Sequence, residues 1–333
     1  MWYGQHGSIP RLHSALNHGH FDGLHLSLFS RGREYLRDYG FGRWVNVEPK
    51  FGGRYIPENN SYCKQTVAHN TVVVDEQSQN GGHSLEAETR WGEQHFFVTD
   101  NPAGQGMSAR LHDYYPGVDQ QRTVLMLQLP ECSAPLIVDV FRLTSAQAHR
   151  YDYCLHHLGQ FVRSDVTLAV AEHLKPLGEN HGYQHLWDCA RGHVAAGESA
   201  LFSWLDGDAY RTMISAFPDG GELIVARTGA HDPHFNLRNE PALLLRTHGS
   251  RAIFASVFET HGYFDEASET SVDARGKVER VSVVSHDDEH TALTIGFASQ
   301  RTLNVRINNR AAPTSANAFS VAWQPDTPLN IPE

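Results

Sequence analysis

The chain lacks any run of 18 or more apolar residues, the length a membrane-spanning helix requires. Its start, Met1 to Pro10, has neither the basic segment nor the apolar stretch of a secretory leader, so no export address is expected within these residues. Cysteine is scarce. Cys63, Cys132, Cys154 and Cys189 are widely spaced and form no C-x-x-C pair, which leaves no sign of a thiolate metal site or a dithiol redox motif. Positive charge is in deficit as well: a net charge of −11 argues against nucleic acid or an anionic membrane as partner, because both demand a basic face. Long helical periodicity is nearly absent.

With 40% hydrophobic and 20% charged residues over 333 positions, the chain can bury a substantial core. Short β-rich runs recur, among them Thr71–Asp75, Pro135–Leu143, Glu222–Arg227, Arg251–Glu259, Arg280–Ser285 and Thr291–Phe297. Turn signals at Asn80-Gly81-Gly82, Pro218-Asp219-Gly220-Gly221 and Asn308-Asn309 separate them as hairpins require. The expected fold is all-β, a sandwich of stacked antiparallel sheets. Gly, Pro and Asn cluster at residues 229–241, which suggests a division into 1–235 and a C-terminal sheet portion, 236–333, packed on it.

Histidine is abundant, with 22 residues, and imidazole is both a common metal ligand and a group that titrates near neutrality. In the stretch Asn17 to Leu28, the residues His18, His20, Asp22, Leu24, Leu26 and Leu28 would share one face of a strand. Two imidazoles would then project side by side, roughly 7 Å apart. A His-x-His pair alone is weak. A cupin-like metal site would need a glutamate four or five residues on, where Leu24 and His25 stand instead. Residues 31–64 are locally rich in positive charge, with seven basic side chains against four acidic ones, as a polyanionic substrate would need.

Further on come Gly40 to Trp44, Arg54-Tyr55, Tyr62 and the run Thr66-Val67-Ala68-His69-Asn70-Thr71. Together with His18-Gly19-His20-Phe21-Asp22, this ordered set resembles the heparinase II/III-like domain of polysaccharide lyases, most closely that of the oligoalginate lyases of polysaccharide lyase family 17. Tyr151 to Gly159 and Phe254 to Gly262 look like the same family. The resemblance implies a zinc ion held by His20, Asp38 and His69, structural in role, with Tyr55 and His18 catalytic and Arg43 contacting a substrate carboxylate. Asn70 reads as a residue that fixes a loop. The resemblance also implies cleavage of oligoalginate by β-elimination, exolytic action and a periplasmic location. A helical toroid facing the sheets belongs to that picture; it is not among these residues, so this chain is expected to be the sheet half, weak or inactive alone and prone to self-association as a homodimer. A heparin-type uronate lyase or a non-catalytic carbohydrate-binding sandwich are the competing readings.

Overall fold

The computed structural model describes residues 1–3, 19–40, 56–310 and 313–324. Strands form where β-branched and aromatic residues concentrate, as a pleated, half-buried surface favours. The early part contributes β1 (Leu28–Ser30), β2 (Arg33–Leu36), β3 (Val72–Val74), β4 (Glu93–Asn101), β5 (Gly104–Tyr115) and β6 (Val118–Leu127). Next come β7 (Leu136–His156), β8 (Gln160–Ser164), β9 (Ala169–Pro176), β10 (Leu186–Val194), β11 (Glu198–Asp206), β12 (Ala209–Phe217), β13 (Gly221–Thr228) and β14 (Pro241–His261). The chain continues through β15 (Tyr263–Asp265), β16 (Thr270–Val272), β17 (Val278–His286), β18 (His290–Phe297), β19 (Thr302–Asn308) and β20 (Phe319–Trp323). Each strand run read from the sequence falls within one of these elements, apart from its end residues.

Two strands of 21 residues, β7 and β14, organise everything else. They pair antiparallel along their whole length, with a register shift between Gly249 and Arg251. Such a bulge bends paired strands and increases their twist. On one side of the bend the pair continues into β6, β5 and β4 in one direction and β12, β11 and β8 in the other. On the other side it carries β3 next to β7, and β13, β10 and β9 next to β14. One hydrophobic core joins side chains from both halves, such as Phe141, Tyr153, Phe202, Leu223 and Phe254. A second core lies between the outer face of the first half and the separate four-stranded sheet β17–β20. Because Leu136, Val138 and Val140 face one core while Phe141 and Leu143 face the other, this part of β7 is apolar on both sides.

Two expectations are corrected, and the strand order bears on the division read near residue 235. Strand pairing crosses residue 235 without a break, because β14 lies between β7 and β12; the separate sheet begins at Val278. Residues 19–27 form no strand, since Leu24 adopts a left-handed conformation (φ 61°) and the His25 amide donates back to the Asp22 carbonyl at 2.9 Å. That local turn breaks the two-residue alternation. Asn80-Gly81-Gly82 lies in a short 3-10 turn, and Pro218 to Gly221 joins two strands that both pair with β14 rather than with each other.

Two outcomes follow from this packing. Gly159 has a φ of 101°, and a Cβ there would lie 2.1 Å from the Leu205 carbonyl oxygen. Gly159→Ala should lower the unfolding free energy by about 1–3 kcal/mol in urea titrations, in line with stored backbone strain; an unchanged midpoint would contradict this. Burial also lowers His95 and His157 to about 4. Between that value and the unfolded value near 6.5, only the unfolded chain takes up these protons. Stability measured by denaturant should therefore fall as pH drops from about 6.5 towards 4.

Candidate metal centre and its supporting network

The segments before β1, after β2 and before β3 bring three candidate ligands together. His20, Asp38 and His69 each offer a ligand atom, and these atoms all lie within 4.8 Å of one another. Asp38 Oδ1 lies 2.8 Å from His69 Nδ1, and the rings of His20 and His69 are 5.0 Å apart at their centroids. His69 is fully buried, and its Nε2 has no hydrogen-bond partner among the described residues. Two imidazoles and a carboxylate suit a borderline divalent cation. The group can therefore hold a metal ion.

The electrostatics agree with a strong local dipole. Burial pushes the Asp38 carboxyl up, but His69, both by charge and by hydrogen bond, holds it well below the usual carboxylate range. Burial works against protonated His69, and Asp38 outweighs that and raises it. Asp22, whose buried Oδ1 also lacks a partner, is raised to about 6, mainly by burial. Burial takes His25 down to about 3, so this ring stays neutral, its Nδ1 accepting from the Asn70 amide at 3.0 Å.

Asn70 does what its position suggested. Its Nδ2 donates to the carbonyls of Leu26 and Arg37 at 2.9 Å each, and its Oδ1 accepts from the His156 amide at 2.6 Å. One side chain thus ties the His20 segment, the Asp38 segment and β7 to the residue that follows His69. Gln79, fully buried, grips Gly23 on both sides, accepting from its amide and donating to its carbonyl. A Cβ on Gly23 would lie within 2.9 Å of Gln79 Oε1, Leu111 and Tyr114, so glycine is required at this close approach.

Beneath these loops lies a charge that sequence reasoning missed. Arg122 on β6 is fully buried, and its Nη1 donates at 2.6 Å to the carbonyls of both Leu24 and Asn70. The same guanidinium makes a two-pronged bond to Asp139 on β7, at 2.9 and 2.7 Å. It also donates to the Tyr153 hydroxyl, which in turn donates to Asp139. The signal was present: Asp139 interrupts the apolar run Leu136-Ile137-Val138-Asp139-Val140-Phe141, where an ionised residue needs a buried partner.

Of the site residues read from the sequence, the structure brings His20, Asp38 and His69 together. His18, Arg43 and Tyr55 lie outside the described residues. Among the basic residues of 31–64, Arg31 donates to the Gly262 carbonyl and Arg37 lies 3.8 Å from Glu240, so both also serve the fold.

A stack of antiparallel sheets with this buried set at one margin matches a known class. The family described as heparinase II/III-like, C-terminal, matches residues 5–307, and the chain belongs to that family. It is similar to an alginate lyase of Stenotrophomonas maltophilia (strain K279a), 37% identical over 311 residues, which are 92% of this chain and 41% of the relative. An exo-oligoalginate lyase of Saccharophagus degradans (strain 2-40) is 36% identical over 286 residues, 84% of this chain and 38% of that protein. The chain thus spans about two fifths of the length of these relatives. A solved heparinase III shares the fold, with a TM-score of 0.56 at 9% identity, covering 87% of this chain and 36% of the other.

The Arg122–Asp139 pair generates a direct expectation. Asp139→Asn leaves a fully buried guanidinium without its counter-ion, a change that costs about 3–5 kcal/mol. Denaturant unfolding should show a loss of that size; a loss within measurement error would mean the pair carries little of the local structure.

Proposed function

We propose that this chain is the sheet half of a polysaccharide lyase that cleaves oligoalginate by β-elimination, acting from a chain end. The observation that carries the reading is the convergence of His20, Asp38 and His69 in a chain more than a third identical to an alginate lyase and an exo-oligoalginate lyase. Elimination removes the proton at C5 of a uronate and expels the oxygen at C4. The neighbouring carboxylate resists the charge that develops at C5, so the enzyme must neutralise it with donors or cations, much as an oxyanion hole does. Arg43 is assigned that contact. Tyr55 takes the C5 proton and returns one to O4, and His18 supports it. A cation placed beside Tyr55, such as Arg43 or Arg54, would favour the phenolate that this role requires.

The metal ion is assigned as zinc, held by His20, Asp38 and His69. When bound, it supplies positive charge and cross-links loops; the chemistry above belongs to the protein side chains. His20 faces a narrow recess lined also by Trp2, Asp22, Asn80 and Tyr114, and Trp2 is 40% exposed there. A helical half supplied elsewhere in the complete protein would cover this margin and complete the cleft. No helix of the described residues is long and apolar enough to cross a membrane. Action in the periplasm fits a substrate that enters as an extracellular polymer.

The complete protein, assayed on oligoalginate by the ultraviolet absorbance of unsaturated product, should lose about 10²–10⁴-fold in kcat on Tyr55→Phe, the range of a lost acid–base group. Near-normal turnover would reject the assignment. Zinc analysis should find one ion per chain in the wild type and none in His69→Ala; equal zinc in both would remove the metal from this site.

A further inference from the structure

Two buried arginines of this protein are matched to buried carboxylates, while a third, Arg211, bonds the Thr260 hydroxyl and the Ser30 carbonyl instead. Arg122 has Asp139, and Arg246, 13% exposed, has Asp152 at 2.6 Å. Two more arginines without a buried carboxylate partner stand together. Arg110 on β5, Gln121 on β6 and Arg142 on β7 stand side by side across three strands, since Gln121 pairs with Arg110 on one side and Arg142 on the other. A cavity of about 410 Å³ lies over this ladder, between the large sheet and the loops at Asp288 and Asn309.

No carboxylate lies within the 4.0 Å of an ion pair from Arg110 among the described residues; its guanidinium donates instead to the Asn309 carbonyl at 2.5 Å. Arg142, only 11% exposed, donates to Gln121 Oε1 at 3.0 Å and the Asp287 carbonyl at 2.7 Å, and its Nε has no partner. Two carboxylates reach the rim. Asp119 is taken up by His112 at 2.7 Å, and Asp288 lies 3.9 Å from Arg142 and 3.3 Å from Arg251. Both are mostly solvated, so water screens them from the guanidiniums below. Burial lowers both arginines; the exposed Glu93 on β4, paired across from Arg110, and Asp119 oppose this at Arg110, and at Arg142 Asp288 opposes it while Arg110 adds to it. A guanidinium does not lose its proton in proteins. The cavity floor therefore carries positive charge that an anion would satisfy, in the fork geometry that suits a carboxylate.

We propose that this cavity is a second binding site, apart from the His20–Asp38–His69 set, and that it takes the carboxylate of an acidic sugar residue. The carboxylate lies against Arg110 and Arg142. Hydroxyls of the same sugar donate to Asn309 Oδ1, which is buried and unpartnered, and to Asp119 and Asp288 on the rim. That ring of acceptors is why a sugar acid is favoured over inorganic phosphate, whose oxygens would meet two carboxylates. The anion assignment stands on the arginines; that the anion is a uronate rests on the proposed function. Such a site would hold an acidic chain on the enzyme between cleavage events.

The test uses the full chain labelled with 15N-arginine, following the Nε–H resonances of Arg110 and Arg142 during titration with an alginate trisaccharide, a neutral glucose trisaccharide and sodium phosphate. Arg110→Gln and Arg142→Lys assign the resonances; Arg142→Lys retains a cation if loss of Arg142 proves too destabilising. The alginate trisaccharide should shift both resonances with a single dissociation constant, the neutral sugar neither, and Arg110→Gln should weaken the binding seen at Arg142 at least tenfold. No shift with the alginate trisaccharide, or equal affinity in Arg110→Gln, would overturn the site. A response to phosphate alone would overturn the sugar assignment. No lyase activity on oligoalginate in the complete protein, with intact binding here, would reject the proposed function and leave this site standing.

Discussion

A single buried cation holds the margin of this protein together. Arg122 has no contact with water, yet its guanidinium is fully used: two bonds to Asp139, one to Tyr153, and one to each of the carbonyls of Leu24 and Asn70. An ion in a core is costly unless every donor is met. Here the requirement becomes a positional device, because satisfying Arg122 forces two loops distant in sequence to present their carbonyls to the same atom. Leu24 lies four residues after His20, and Asn70 follows His69 directly. The spacing between two of the three metal-ligand candidates is thereby referred to strands β6 and β7, paired within the large sheet.

The third ligand is referred to the same frame by a different route. Asn70 donates to the Arg37 carbonyl, next to Asp38, while β7 grips Asn70 through the His156 amide. Arg37 in turn donates its own amide to the His156 carbonyl at 3.0 Å. A site made of irregular loops so acquires the precision of a sheet, as outer hydrogen-bonding partners do for metal ligands generally. The long bent strands β7 and β14 make this possible: they carry one core to Arg122 and a second core to the sheet β17–β20, so the middle layer cannot shift without disturbing both.

Much of this was legible in the sequence, for physical reasons that can be named. Strands announce themselves by β-branched and aromatic runs, and Thr291–Phe297 became β18 nearly as read. The metal-ligand set was reached through ordered motifs rather than spacing, because ligands 18 and 31 residues apart, as Asp38 is from His20 and His69 from Asp38, have no local signature. The expected His18–Leu28 strand failed at Leu24, whose left-handed turn no apolar residue advertises. The Gly- and Pro-rich stretch at 229–241 marks a loop equally well whether or not the next strand returns to the same sheet, and here β14 returns between β7 and β12. Arg122 and Asp139 were readable in principle, as charges set in apolar strands, but their pairing is a tertiary fact.

The most direct test of this account leaves every ligand in place. The divalent-ion dissociation constant of Arg122→Lys, measured by competition with a chromophoric chelator at a temperature where the variant remains folded, should be weaker than wild type by about 10–100-fold, the range for loss of an outer partner. A lysine cannot hold Asp139 with two bonds and still reach both carbonyls. An unchanged constant would contradict the claim that Arg122 sets the geometry of the site.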